Sequence, residues 1–302
     1  MYDLISIGNI SIDMYYKGES LTYEDGRFQL AIGGKYFVEA FHQSVGGGGA
    51  NVAIGAQHNG IKTAVIGLIG NNAYKNMILA DLRDAGVHTA FCQMEEEFLN
   101  ISSILLTSEG ERTVINFSTQ HMKLFEDEEE QNLLLHAKHV YLGNLPDVSF
   151  TQREEILHFL KRNNIKTIVN LGVKDCRRPL SQIEKFLKPV DVVIMNGYEF
   201  AETIKRDYSS LSFANNPVKD IEYLRDKVVI VTDGKKGSHG YLNNEYYYQE
   251  AVPVHKIMDT TGAGDGYTAA FIATYILTGD IKHAMNKGAH YAVKILGKLG
   301  AN

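Results

Sequence analysis

Proline and cysteine are scarce in this sequence. Only 5 prolines occur in 302 residues, so no Pro-rich linker divides the chain. Cys92 and Cys176 are the 2 cysteines, far apart and outside any C-x-x-C, which excludes a disulfide framework and a cysteine zinc site. Two unpaired thiols fit a reducing compartment, so a cytoplasmic location is expected. None of the 11 histidines sits in an H-E-x-x-H, leaving core or surface roles for them. Positive charge is also short. Lys plus Arg number 30 against 36 Asp plus Glu, a net charge of −6, and the global footprint of a nucleic-acid binder is missing. Met1-Tyr2-Asp3-Leu4 carries no basic n-region, so no secretory signal is expected. The longest nearly apolar stretch, Tyr267 to Leu277, is too short to span a bilayer, so no membrane association is expected. No G-x-x-x-x-G-K-[ST] occurs, and Asn51 stands where a G-x-G-x-x-G begun at Gly46 needs glycine. A P-loop and a dinucleotide-binding Rossmann site are thereby disfavoured. Repeats and low-complexity segments are absent.

What the chain does have is glycine, 28 of them, above the usual share of about 7%. With so little proline, this suggests backbone pressed against ligands or bent into tight turns. Apolar runs at 3–10, 62–68, 138–142, 166–171, 190–195 and 227–232 read as buried strands. Helical patterns fall between them at 50–59, 73–85, 151–163, 180–187 and 197–206, with two more at 263–277 and 280–296. Strand–helix alternation predicts an α/β fold, a mostly parallel sheet with helices on both faces. Two regions break the rhythm. Residues 14–45 carry short aromatic segments, and 98–117 read as a hairpin turning at Ser108-Glu109-Gly110-Glu111; together they predict a small β-subdomain. A second hairpin is expected at 238–250, turning at Asn243-Asn244. The acidic run from Glu126 to Glu130 predicts a helix over 126–137, acids being favoured at a helix N-terminus.

Five segments could carry chemistry. A strand-like approach at 252–257 leads to Asp259-Thr260-Thr261-Gly262-Ala263-Gly264-Asp265 and then a helix. Gly262 and Gly264 allow close approach of a ligand, and the helix mouth supplies orphan N–H groups and a favourable dipole for an anion. Asp265 at that mouth is awkward for an anion unless it has a task, such as accepting a hydroxyl proton in phosphoryl transfer; complementing the dipole is its plain alternative. Gly46-Gly47-Gly48-Gly49-Ala50-Asn51 makes a poor element and a good close-approach loop. Asp13 follows the first strand, at the edge where open α/β sheets bind ligands, and could accept bonds from neighbouring hydroxyls. Asn196-Gly197-Tyr198-Glu199 and Thr232-Asp233-Gly234-Lys235-Lys236-Gly237 follow later strands at the same edge. Each of these also reads as an ordinary cap or turn.

Together these motifs resemble the PfkB/ribokinase family of carbohydrate kinases over essentially the whole length. Asp13, GGGGAN at 46–51, NGYE at 196–199, VTDGKKG at 231–237 and DTTGAGD at 259–265 occur in the family's order. The resemblance implies a ribokinase-like fold in a single domain, residues 1–302, with a lid made from 14–45 and 98–117. It implies an ATP- and Mg²⁺-dependent kinase acting on a hydroxyl of a small sugar or sugar derivative. Asp265 then matches the catalytic base, and the backbone at Gly262, Ala263 and Gly264 the anion hole. Asp13, Gly46, Gly47, Gly49 and Asn51 match sugar-binding positions. Asn196, Thr232, Gly234 and Gly237 match nucleotide-binding positions, and Glu199 one that acts on Mg²⁺ through water. Asp259 and Thr261 match positions that hold a monovalent cation, K⁺, in some members. The tail 287–301 resembles a helix beside the adenine. A homodimer formed through the lid is also implied. The chain departs from the family in having Gly48 and Tyr267, Asn144 near an acidic sugar contact, and a long segment before the glycine loop. Two rivals remain: a nucleoside kinase of the same fold, with Tyr15, Tyr16, Tyr36 and Phe37 as a shelf for the base, and a sugar-responsive binding protein without turnover. Release of ADP with some acceptor discriminates the second.

Overall fold

Successive residues of a strand point to opposite faces, and here both faces are apolar. Leu4, Val192 and Val228 point to one side, while Ile5, Val193 and Val229 point to the other. A sheet of such strands must be covered twice. The computed structural model describes residues 1–119, 124–125, 127–145, 148–254 and 256–301. Its principal elements in chain order are β1 (Tyr2–Ile7), β2 (Ser11–Lys17), β3 (Ala40–Gly46), α1 (Gly48–His58), β4 (Thr63–Ile66), α2 (Lys75–Asp84), β5 (Asn100–Leu106), β6 (Arg112–Ser118), β7 (Ala137–Leu142), α3 (Phe150–Arg162), β8 (Lys166–Val169), α4 (Leu180–Leu187), β9 (Val192–Asn196), α5 (Gly197–Thr203), β10 (Val228–Thr232), β11 (Ser238–Leu242), β12 (Glu245–Gln249), α6 (Ala263–Thr278) and α7 (Ile281–Leu296).

The central sheet runs β12–β11–β10–β9–β8–β7–β1–β4. Neighbours from β4 to β10 are parallel, and β11 and β12 close one edge as an antiparallel hairpin. That hairpin turns at Asn243 and Asn244, both left-handed with φ of 52° and 65°, the geometry that suits a two-residue turn. On one face Ile156, Leu157, Phe186 and Phe200 bury the sheet beneath α3, α4 and α5. On the other, Val52, Phe271 and Met285 do so from α1, α6 and α7. The fold is an α/β sandwich, a mostly parallel sheet with helices on both faces and a separate small sheet, as expected. Among the described residues no helix is long and apolar enough to cross a membrane.

The small sheet runs β6–β5–β2–β3. Its register aligns Asn116, Ser102, Asp13 and Ser44 in one row, and Val114, Ile104, Tyr15 and His42 in the next. The pleat puts both rows, with Arg112, on one face. Tyr16, Phe41, Ile115 and Phe117 occupy the opposite face, where Phe41, Ile115 and Phe117 are exposed.

Several expectations need correction. The first strand stops at Ile7, because Gly8 lies against the backbone of Gly49; Asp13 therefore belongs to β2, not to the end of the first strand. The helix expected over 126–137 is an α-helix only at Glu128–Asn132, capped by Asp127, followed by a 3₁₀ turn at Leu133–His136. Ala137 is already in β7 and pairs with Tyr2, which ends the helix early. Glu126 lies outside the described residues. The approach at 252–257 is not a strand; its described residues have no regular structure, and residue 255 lies outside them.

Candidate active site

The mouth of α6 is assembled by a short local network. The buried Asp259 carboxylate accepts from the N–H and hydroxyl of Thr261 through Oδ1, at 2.8 and 2.7 Å. Gly262 then takes a left-handed conformation, φ 74°, and its carbonyl accepts the first helical bond from Gly266 N at 2.8 Å. A side chain at 262 would also strike Ala301, so the C-terminal tail closes over this turn. Gly264 is the opposite case: its surroundings are open. The opening N–H groups of a helix have no intrahelical partner, so the Gly262–Gly264 backbone offers donors to an anion in that open space.

Asp265 stands at the same mouth. Its Oδ2 accepts from Asn51 Nδ2 at 2.8 Å. Burial pushes its carboxyl above the usual range, the Asn51 bond opposes this, and the Asp13 charge adds to it. A half-buried carboxylate with a raised pKa beside helix N–H donors can take a proton from a hydroxyl while an anion rests on those donors.

Asp13 approaches from the small sheet. Ser11 Oγ donates to its Oδ1 at 2.9 Å. Burial raises its pKa, the Ser11 and Ser102 hydroxyls lower it, and the Asp259 charge raises it. Gly46 lies flat against this carboxyl, where any Cβ would overlap it. Gly47 and Gly49 are pressed onto the backbone of Asn9 and Gly8, and Gly49 N donates to Asn9 O at 3.0 Å. Their bareness lets α1 pack on the strand end. Gly48 is the member of the run that opens towards Asp265, its would-be Cβ 3.8 Å from Oδ1.

Asn196 and Glu199 form a reciprocal cap on α5. Glu199 N donates to Asn196 Oδ1, and Asn196 N to Glu199 Oε2, both at 2.9 Å. Burial raises the Glu199 pKa, the two Asn196 bonds lower it, and the Asp265 charge raises it. Thr232 pairs with Asn196 across β10 and β9, at the carboxyl edge of the sheet. Gly234 and Gly237 follow in positive-φ conformations, 54° and 88°. Lys236 Nζ donates to Tyr208 Oη at 2.9 Å, and that hydroxyl donates to Asp233 at 2.6 Å, which pins this turn.

The donor sets differ in what they can hold. Glu199 is a hard oxygen donor facing the field of Asp265, which suits Mg²⁺ with waters and phosphate oxygens completing its shell. Among the described residues no group of three His, Cys, Asp or Glu gathers to hold a metal alone. Asp259 and Thr261, expected to border a monovalent ion, do not fit one. Besides its Thr261 bonds, Asp259 accepts from Gly300 N at 3.3 Å, and Arg112 Nη1 lies 4.0 Å from its Oδ1 while hydrogen bonding to Thr261 Oγ1.

The structure thus brings Asp13, Asn51 and Asp265 together with the glycine loop and the α6 mouth, and sets Glu199 in the field of Asp265. Sequence reasoning missed Arg112 and Ser102; it singled out the tail 287–301, but not that Gly300 and Ala301 close on the turn before α6. Alternation along a hairpin would have put Arg112 and Ser102 on the Asp13 side only if the β2–β5 register were known. Tyr15 and Tyr16 lie on opposite faces of the small sheet, and Phe37 is exposed in the loop before β3, so these residues do not form one shelf.

Comparison with known proteins bears on this arrangement. The model of the pfkB family carbohydrate kinases matches residues 1–302. A ribokinase of Arabidopsis thaliana is 25% identical over 281 residues, 90% of this chain and 70% of that protein. The structure of Arabidopsis thaliana ribokinase complexed with ribose and ATP superposes with a TM-score of 0.81 at 22% identity, covering 99% of this chain and 94% of that one. An adenosine kinase from Sinorhizobium meliloti superposes with a TM-score of 0.80 at 19% identity, covering 100% and 95%.

Proposed function

The chain belongs to the pfkB family of carbohydrate kinases, and from that premise we propose that it transfers the γ-phosphoryl group of ATP to a hydroxyl of a small sugar or sugar derivative. The observation that carries this reading is Asp265, held by Asn51 at the mouth of α6, beside the helix-opening backbone of Gly262, Ala263 and Gly264, with open space at Gly264. Asp265 takes the acceptor's proton as its oxygen attacks phosphorus. The helix-mouth N–H groups hold the negative oxygens of the migrating group. A loose transition state leaves positioning and charge stabilisation as the main work. Asp13, Gly46 and Asn51, with Gly47 and Gly49 setting the loop, position the sugar. Asn196, Thr232, Gly234 and Gly237 line the nucleotide side. Glu199 would hold Mg²⁺ through water, and the bound ion would neutralise charge on the phosphates.

The small sheet, from 14–45 and 98–117 of the single domain 1–302, acts as a lid. Its polar face with Asp13, Ser44 and Ser102 turns to the site, and closing it excludes water. Phe41, Ile115 and Phe117 on the outer face suit a second copy of the chain, giving a homodimer through the lid. The partners are a small-molecule acceptor and ATP, with neither nucleic acid nor membrane. The free cysteines suit a cytoplasmic location.

A screen for ADP release over pentoses, hexoses, keto-deoxy acids, amino-sugar adducts and nucleosides tests the activity, with Asp265→Asn as the blank. Acceptor-dependent ADP release that vanishes in the blank is expected. Equal release in the blank would overturn the assignment of Asp265, and tight sugar binding with no release from any acceptor would favour a binding protein.

A further inference from the structure

Arg112 opens β6 in the small sheet, yet its guanidinium reaches the turn before α6. It hydrogen bonds to Thr261 Oγ1, which in turn donates to Asp259 Oδ1. Asp259 is 0% exposed. A buried ionised carboxylate needs both hydrogen bonds and a compensating charge. Its hydrogen bonds come from Thr261 and Gly300, and among the described residues Arg112 is the only side-chain cation paired with it. The hairpin that presents Arg112 is closed by Thr107 N to Glu111 O at 2.9 Å and Gly110 N to Thr107 O at 3.1 Å. Gly110 itself faces the carbonyls of Ile257 and Met258, so the hairpin docks on the same segment.

We propose that Arg112 is the resident cation of the Asp259–Gly264 turn. It stands where a monovalent ion would otherwise balance Asp259, and it joins the small sheet to the helix mouth. A guanidinium is a fixed charge with a rigid fork of donors. The turn is therefore set without an added ion, and set fully only when the hairpin is docked. Arg112 is a positioning residue: it hydrogen bonds to Thr261, lies beside Asp259, and acts through them. Its bearing on turnover rests on the proposed function of that turn; its bearing on the fold does not.

The test compares the wild-type protein, Arg112→Lys and Arg112→Gln in potassium, sodium and choline chloride at equal ionic strength, reading melting temperature without ligands and turnover with the best acceptor. Wild type should melt alike in all three salts and turn over within about twofold. Arg112→Lys should keep this indifference. Arg112→Gln should melt lower in choline and lose about tenfold in kcat, with both recovering partly and selectively in potassium. A potassium-specific rise in wild-type or Arg112→Lys melting temperature or rate would overturn the proposal. So would an Arg112→Gln protein that matches wild type in choline. Melting needs no acceptor, so an inactive wild-type protein would sink the proposed function and leave this inference standing or falling on its own.

Discussion

The amide nitrogen of Asn51 donates to Asp265 Oδ2 at 2.8 Å, across 214 positions of sequence. The bond joins the glycine loop to the helix mouth. It also aims one oxygen of Asp265 and leaves the other beside Gly48. Replacing Asp265 by Asn removes the proton acceptor but keeps the shape. kcat should fall by about 10²–10⁴-fold, with KM for the sugar nearly unchanged. Steady-state kinetics on the best acceptor checks this; a near-wild-type kcat would rule Asp265 out as the base.

The same substitution should change stability in the opposite sense. Burial raises the Asp265 pKa in the folded protein. A carboxyl so shifted favours the folded state when protonated, and that contribution is lost as pH rises through the folded pKa. Asp265→Asn should therefore melt higher than wild type near neutral pH, and the gap should close as pH falls through the raised value. Melting curves at several pH values check it; a gap that widens in acid would contradict the sign.

The Asp13 charge raises the Asp265 pKa. The ionised base sets the acid limb of kcat/KM. Asp13→Asn should move that limb to lower pH, while Asn51→Leu, which deletes a bond that stabilises the carboxylate, should move it higher. Asp13→Asn should also raise KM more than it lowers kcat if Asp13 holds the acceptor as proposed. Identical acid limbs in the three proteins would break the link between these groups.

Glu199 caps α5 and faces the field of Asp265. Glu199→Gln keeps an acceptor for Asn196 N and removes the charge. The Mg²⁺ concentration for half-maximal rate should rise about tenfold, while the melting temperature near neutral pH should rise slightly, since burial raises the Glu199 pKa. Titrating Mg²⁺ at saturating acceptor measures it, and an unchanged half-point would detach Glu199 from the metal.

The layers of the fold were legible because buried parallel strands leave continuous apolar runs, and helices are punctuated by caps such as Asn196 and Gly279. Position 13 was harder. Nothing local marks the break at Gly8, which depends on Gly49 packing against it from another element. The glycine run was visible, but which glycine opens to Asp265 depends on how α1 meets β1. Arg112 was invisible for the same reason: its partners, Thr261 and Asp259, are 149 and 147 residues away, and only the lid register brings it to them. The 252–257 segment misled, since its apolar pattern suits a strand, but among the described residues no neighbouring strand receives it.

A buried ion pair beside β8 makes a last test, away from the chemistry. Arg153 on α3 holds Asp175 with two bonds, Nη1 to Oδ2 at 2.6 Å and Nη2 to Oδ1 at 3.0 Å, and Arg178 Nε adds a third at 2.9 Å. Burial works to raise the Asp175 pKa, but the two arginines prevail and hold it below the usual carboxylate value. The pair thus contributes stability above the unfolded pKa, and loses it as pH falls through the depressed folded one. Arg153→Met leaves Asp175 short of compensation in a buried site and should cost about 3–5 kcal/mol, near the low end because Arg178 remains. Adding Asp175→Leu should restore much of that loss, since two apolar groups need no counter-charge. Denaturant unfolding of the single and double variants decides it. A double variant no more stable than Arg153→Met would mean that the guanidinium serves by packing on Phe150 and Phe186 rather than by charge.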